Sequence, residues 1–90
     1  MKKSEERLRK YGFVIASEYR KKVIRALTTP KTPKQISAQT GLHLSHVSKA
    51  LIELTDKGIV RCVNPDMRKG RIYELTELGK WIARKLTEAE

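Results

Sequence analysis

The most constraining feature of the sequence is a pair of short helical segments joined by a glycine-leucine turn. Thr32 can cap the first segment, Pro33 suits its first helical position, and Gln35 completes a capping box. Gly41 is expected to end this segment after about two turns, because glycine readily adopts the left-handed conformation of helix ends. A second helix is predicted over residues 43–57. Two helices in this order predict a helix-turn-helix.

The second helix has one apolar side and one polar side. Its apolar residues recur at the spacing of a single helical face, and they are Leu44, Val47, Leu51 and Leu54. An α-helix fits the major groove of DNA, and short polar residues at its N-terminal end reach the base edges. The candidate DNA contacts on the helix pair are Lys34, Gln35, His43, Ser45, His46, Ser48 and Lys49.

A basic hairpin is predicted after the helix pair. Residues 59–63 and 71–75 have the β-branched and alternating character of two short strands. The segment over residues 64–71, which we call the wing, is rich in turn formers and in positive charge. Cationic side chains on such a turn can neutralise backbone phosphates. The candidate contacts of the wing are Arg68, Lys69 and Arg71.

The N-terminal part is predicted to be a separate arm. Residues 1–16 carry a short helix with few apolar residues, which would be marginal alone. Gly12 is expected to interrupt this helix, and residues 13–16 are expected to follow as a short buried segment.

The rest of the chain is predicted to be one domain. Ser17 can cap a helix over residues 18–27, and Thr76 can cap the last helix. One face of the helix over 18–27 is expected to carry Tyr19, Val23, Ala26 and Leu27. Residues 17–87 are therefore predicted to be mainly α with a small β-hairpin wing, which is the organisation of a winged helix-turn-helix.

The charge of the chain favours a polyanionic partner. Twenty Lys and Arg against ten Asp and Glu give a formal net charge of +10. Residues 1–10 hold five positive and two negative groups, and residues 59–72 hold four positive and one negative. Such concentration is typical of nucleic-acid binding, although a basic surface also serves solubility or growth at high temperature. No apolar run approaches the roughly 18 residues that span a bilayer, so we expect no membrane association and a cytoplasmic location.

Metal and catalytic chemistry find little support in the sequence. His43 and His46 are three residues apart, but a metal site needs further ligands, and only Cys62 is at hand. That cysteine is more typical of a small apolar side chain on a strand. No glycine-rich phosphate cradle is present, and no acid that would orient His46 is identifiable. We therefore expect no enzyme, no cofactor and no metal, and no small-molecule effector is evident.

Several segments together resemble ArsR/MarR-type winged-helix transcriptional regulators of archaea and bacteria. The segments that carry the resemblance are residues 40–51, Leu54, residues 58–60 and residues 73–79. The resemblance implies a homodimer on a roughly palindromic DNA operator. The dimer contacts are expected on the first and last helices, at Leu8, Tyr11, Trp81, Ile82 and Leu86.

The sequence departs from that family pattern at two places. Many ArsR members carry a Cys-x-Cys metal sensor on the helix before the recognition helix, and residues 32–39 contain no cysteine. His43 stands where the family usually has a capping serine, so the cap is expected to be weaker, or the imidazole to face DNA.

Three other uses of the same sequence stay open at this point. A winged helix can serve as a protein-interaction module or as a sequence-neutral chromatin protein. The positive charge is also compatible with an RNA-binding protein.

Overall fold

The computed structural model describes residues 2–89 and contains five helices and one two-stranded sheet. The helices are α1 (Lys2–Ile15), α2 (Glu18–Ala26), α3 (Pro33–Thr40), α4 (Leu44–Asp56) and α5 (Glu77–Ala89), and the strands are β1 (Val60–Cys62) and β2 (Tyr73–Leu75). This order confirms the predicted fold class, which is mainly α with a small β-hairpin. None of the described helices has both the length and the apolar character needed to cross a membrane.

The predicted helix caps of α2 and α3 are confirmed. The Ser17 hydroxyl accepts a hydrogen bond from the backbone N–H of Arg20 at 3.4 Å. The Thr32 hydroxyl accepts from the N–H of Gln35, whose side-chain oxygen accepts in turn from the N–H of Thr32. These bonds satisfy backbone donors that a helix start otherwise leaves without partners. The start of α3, the first helix of the pair, is therefore fixed locally.

The expected interruption of α1 at Gly12 is wrong. Helix α1 continues through Gly12 to Ile15, and Ala16 donates a backbone hydrogen bond to the carbonyl of Gly12 at 3.1 Å. Val14 is fully buried in the core, and Phe13 packs against it. Burial of these side chains stabilises the helix more than one internal glycine, at about 1 kcal/mol, destabilises it.

The core lies between the C-terminal part of α1, the helices α2, α3, α4 and α5, and the hairpin. Its buried side chains are Val14, Val23, Ile24, Ala26, Leu27, Ile36, Val47, Ala50, Leu51, Leu54, Ile59, Val60, Leu75, Ile82 and Leu86. Two of these correct the expected dimer contacts. Ile82 is 0% exposed and Leu86 is 2% exposed, because both face the core of their own chain and present almost no surface to a partner.

The two-stranded sheet is attached to the loop before α3. Strands β1 and β2 pair antiparallel, with Val60 opposite Leu75. Lys31, in the loop before α3, exchanges two backbone hydrogen bonds with Tyr73 of β2, at 3.0 and 2.8 Å. The hairpin is therefore attached to the loop that precedes α3.

The junction between the sheet and α5 depends on a threonine and a glycine. The Thr76 hydroxyl lies 2.7 Å from the carbonyl oxygen of Gly58, and it accepts from the N–H of Gly79 at 3.2 Å. A Cβ atom placed on Gly79 would lie 2.2 Å from the backbone oxygen of Ile59. Only glycine therefore lets α5 approach the start of β1 this closely.

Candidate nucleic-acid interface

The turn between α3 and α4 is held by side-chain hydrogen bonds. Gly41 has a φ of 77°, which is the left-handed conformation predicted for the end of α3. The Ser37 hydroxyl donates to the carbonyl of Leu42 at 2.6 Å, and the Thr40 hydroxyl accepts from the N–H of Leu42 at 3.2 Å. These bonds fix the direction in which the chain enters α4. The helix-turn-helix geometry therefore does not depend on the hydrophobic contacts of α4 alone.

His43 caps α4 with its imidazole ring. Its Nδ1 atom accepts from the backbone N–H of Ser45 at 3.2 Å and lies 2.8 Å from the Ser45 hydroxyl. Both side chains are exposed. The ring thus takes the capping position that a serine usually occupies.

A continuous set of side chains on α4 faces away from the core. Val47, Leu51 and Leu54 are buried, whereas the opposite side of the helix is accessible. We define the outer face of α4 by residues that recur at intervals of three or four, which are Ser45, Ser48, Lys49, Ile52 and Asp56. Ser48 is half-buried, and the other four are exposed. This face includes three of the predicted DNA contacts.

One apolar residue of α4 departs from the predicted stripe, and another is a surface residue that was not predicted as a contact. Leu44 is 38% exposed, so the predicted apolar stripe begins only at Val47. Ile52 is 69% exposed and lies in the middle of the outer face, where it was not recognised as a candidate contact. Its place follows from the spacing of seven residues from Ser45, which is two helical turns.

Two side chains of α2, Tyr19 and Arg20, contact α4 and help to fix its position. The Tyr19 ring stacks on the His46 ring, with centroids 4.4 Å apart and an interplanar angle of 11°. Tyr19 shares a face of α2 with buried residues, as its spacing predicts, but it is itself 43% exposed. Arg20 forms an ion pair with Glu53 of α4 at 3.2 Å and donates to the carbonyl of Phe13 at 2.8 Å. Arg20 therefore joins α4 to both α2 and α1.

The wing is held by two of its own side chains. Asn64 accepts from the N–H of Ile72 at 2.7 Å and donates to the carbonyl of Gly70 at 3.1 Å. Arg71 donates from Nε to the carbonyl of Met67 at 2.7 Å and from Nη2 to the carbonyl of Pro65 at 3.2 Å. The guanidinium of Arg71 is thus engaged within the wing itself.

Ion pairs within the described part of the chain engage several cations but not the candidate cations of α4 and the wing. Ion pairs join Arg20 to Glu53 and Arg61 to Glu74, at 3.2 and 2.7 Å. Within residues 2–89, no acidic side chain forms an ion pair with Lys49 or with Arg68 and Lys69 at the tip of the wing. Lys34 and Gln35 are also exposed, in the first turn of α3. The outer face of α4 and the tip of the wing therefore each carry positive charge that no acidic side chain of the described residues pairs.

The imidazole rings of His43 and His46 are in edge contact with each other. Their centroids are 6.1 Å apart with an interplanar angle of 74°. Among the described residues, no three His, Cys, Asp or Glu side chains converge as a metal site would require. Cys62 is a half-buried free thiol on β1.

No protein-family model and no curated protein sequence matches the chain. Solved structures do match. A MarR family transcription regulator superposes with a TM-score of 0.73 and 21% identity, over 81% of this chain and 50% of that chain. A MarR family regulator from Neisseria meningitidis gives a TM-score of 0.66 and 31% identity, over 74% and 49% of the respective chains.

A third solved structure matches over nearly its whole length. It is TubR bound to 24 bp of tubC, from Bacillus thuringiensis serovar israelensis pBtoxis, with a TM-score of 0.79 and 12% identity. The match covers 93% of this chain and 95% of TubR, whereas this chain spans about half the length of the two MarR structures.

These likenesses define the fold class. The chain has the winged-helix fold of MarR family transcription regulators, and the MarR-type part of the predicted resemblance is confirmed at the level of fold. The ArsR-type features and the archaeal origin stay predictions.

Proposed function

We propose that this chain binds double-stranded DNA sequence-specifically, as a homodimeric transcriptional regulator. Helix α4 would enter the major groove, and the wing would lie on the sugar-phosphate backbone. The observation that carries the proposal is the outer face of α4, which is polar at its N-terminal end and carries an unpaired cation, Lys49. The similar structures support it, because all three are described as regulators or as DNA-bound.

The chemistry of α4 suits base recognition. Ser45 and Ser48 are short enough to let the helix approach base edges, and each hydroxyl can donate or accept a hydrogen bond. Lys49, one turn further, can donate to guanine O6 and N7. The N-terminus of α4 also presents the positive end of the helix dipole towards phosphates. His43 stabilises that end through its cap.

The wing suits backbone contacts. Arg68 and Lys69 are exposed at its tip, and Met67 lies beside them. Charge attraction to phosphate requires little directional precision and releases counterions. Arg71 supports the tip through its bonds to Met67 and Pro65, so its first contribution is to the shape of the wing.

A second copy of the chain would pack against α1 and α5. Leu8 is 59% exposed and lies two turns from Ile15, which is 45% exposed, so both are on one face of α1. Gly12 lies between them, and a Cβ added there would meet no atom of its own chain within 4 Å. This apolar strip continues towards Tyr11 and Trp81, whose rings are in edge contact at 6.5 Å. The proposed interface therefore keeps the predicted Leu8, Tyr11 and Trp81, gains Gly12 and Ile15, and omits the buried Ile82 and Leu86.

The proposal includes a cytoplasmic location and excludes catalysis. The three similar structures are described as regulators or as DNA-bound, and none is described as an enzyme. A DNA-binding regulator acts where the DNA is, which supports the location.

A comparison of two lysine variants tests the role of α4. Lys49→Ala is expected to reduce the affinity ratio between a selected duplex and a scrambled duplex by about 1–3 kcal/mol, as for one lost base contact. Lys80→Ala on α5 is the matched control, since it removes the same charge from another helix, and the ratio should not change. Fluorescence anisotropy of labelled duplexes gives both affinities. An equal ratio for wild type and Lys49→Ala would overturn the assignment of α4.

Sedimentation equilibrium tests the proposed dimer. Leu8→Glu places a charge on the exposed strip of α1 and is expected to give a monomer. Val63→Glu changes a residue of similar exposure on the hairpin and should leave the dimer intact. A wild-type chain that sediments as a monomer at micromolar concentration would contradict the interface.

A further inference from the structure

Ile52 is the most exposed of the large hydrophobic side chains that the structure describes, at 69%. It makes no contribution to the core, which α4 contacts through Val47, Leu51 and Leu54. A β-branched residue is also a poorer helix former than Leu, Lys or Gln at an exposed position. Neither packing nor helix propensity therefore explains an isoleucine here.

The position of Ile52 places it among the proposed base contacts. It lies three residues after Lys49 and seven after Ser45, so all three side chains project from one face of α4. Leu44, the other exposed apolar residue of the helix, is rotated by about 100° from Ser45. Ile52 is thus the apolar member of a face that is otherwise polar.

The charges around Ile52 indicate where α4 would leave the groove. Asp56 is exposed on the same face one turn further, and its carboxylate would be repelled by phosphates. Glu53 is adjacent, but Arg20 pairs with it at 3.2 Å and offsets its charge. The part of α4 compatible with DNA therefore extends to Ile52 and ends before Asp56.

We propose that Ile52 determines specificity by contacting the 5-methyl group of a thymine in the major groove. This inference rests on the proposed function, since it requires α4 to lie in the groove. The thymine methyl is the apolar group that the major groove presents, and aliphatic side chains recognise it by contact. Ser45 and Ile52 are about 10.5 Å apart along the helix axis. With α4 along the groove, the thymine would lie about three base pairs from the base that Ser45 contacts.

Uracil substitution tests this contact without changing any hydrogen bond of the base pair. Each thymine of a selected duplex is replaced singly by deoxyuridine, which lacks only the 5-methyl group, and affinity is measured by fluorescence anisotropy. One position in each half-site is expected to weaken wild-type binding about fourfold, the effect of one buried methyl group. Ile52→Ala should bind the thymine and uracil duplexes equally. Leu44→Ala is the matched control and should keep the wild-type difference.

The outcomes separate this inference from the proposed function. A cytosine at the sensitive position should lower affinity, and 5-methylcytosine should restore part of it, because the methyl returns. Sequence-specific binding without a uracil-sensitive position, or a sensitivity that persists in Ile52→Ala, would overturn the role of Ile52 alone. Equal affinity for every duplex would overturn both the role of Ile52 and the proposed function. Circular dichroism checks that Ile52→Ala keeps its helix content.

Discussion

Helix α4 and the wing carry the two groups of candidate contacts, but they are held in place by different interactions. Three side chains of α4, Val47, Leu51 and Leu54, are fully or almost fully buried in the core. In contrast, no residue of the wing is buried, and the hydrogen bonds of Asn64 and Arg71 shape it. One region is fixed by packing, and the other by local polar bonds.

This difference matches what each region would have to do. Hydrogen bonds to base edges weaken steeply when donor and acceptor are misaligned, so a base-reading helix needs a rigid support. Attraction between a cation and a phosphate depends mainly on distance. A wing with looser support can therefore still contribute affinity. The comparison predicts that substitutions beneath α4 lower stability most, whereas loss of the charges at the tip of the wing lowers DNA affinity most.

The largest expected effect on stability is at Leu54, beneath the outer face of α4. Leu54→Ala should destabilise the chain by about 2–5 kcal/mol, because it leaves a cavity in the core that the surrounding side chains fill only in part. Thermal unfolding followed by circular dichroism measures the change. Val63→Ala, at an exposed position on the hairpin, is the control and should stay within about 0.5 kcal/mol of wild type. A loss below 1 kcal/mol for Leu54→Ala would contradict the proposed support of α4.

A second effect on stability is expected at Gly79, where α5 approaches the start of β1. Gly79→Ala should cost about 1–3 kcal/mol, because its Cβ would overlap the backbone oxygen of Ile59. Gly12→Ala is the matched control: its Cβ meets no atom of the chain, and alanine favours a helix by about 0.5–1 kcal/mol. Urea titration of dilute protein should therefore shift the two midpoints in opposite directions. Equal shifts of the two midpoints would show that the close approach of α5 to Ile59 does not require glycine at position 79.

The largest effect on binding without loss of stability is expected at the tip of the wing. The double variant Arg68→Ala/Lys69→Ala should weaken binding to all duplexes alike, because phosphates carry no sequence information. The slope of log affinity against log salt should fall by about one unit for each lost phosphate contact. A salt series with two unrelated duplexes measures both quantities. An unchanged slope would remove the wing from the interface.

A smaller effect is expected from loosening the wing while its charges remain. Asn64→Ala removes the bonds to Ile72 and Gly70 and should lower stability by about 1 kcal/mol. Its DNA affinity should fall less than that of the Arg68→Ala/Lys69→Ala double variant, and its salt slope should stay at the wild-type value. A reduced slope in Asn64→Ala would mean that the charges require a fixed wing.

Local sequence signals predicted the starts of α2 and α3 and the turn between α3 and α4 correctly. The Thr32 capping box, the Ser17 cap and the left-handed Gly41 depend on neighbouring residues only, so they can be read from a short window. The two predicted strands and the basic loop between them followed from turn formers and β-branched residues. These features were sufficient for the fold class.

Features that depend on tertiary packing could not be predicted from local sequence signals. The helix of α1 passes through Gly12 because Val14 is buried against distant residues, and no local signal reports that burial. The apolar stripe of α5 was correctly located, but whether Ile82 and Leu86 face the core or a partner depends on the tertiary arrangement. The spacing of Ile52 places it off the apolar stripe, but Ile52 was not predicted as a DNA contact, because the candidates were chosen as polar side chains. Only its exposure identifies it.

Random-sequence selection on duplex DNA tests most directly whether α4 reads bases from a dimer. Selection with the wild-type chain is predicted to enrich an inverted repeat whose half-site centres lie about one helical turn apart, roughly 34 Å or 10 base pairs. A pool that remains random after selection, with equal affinity for every duplex, would contradict sequence-specific recognition by α4.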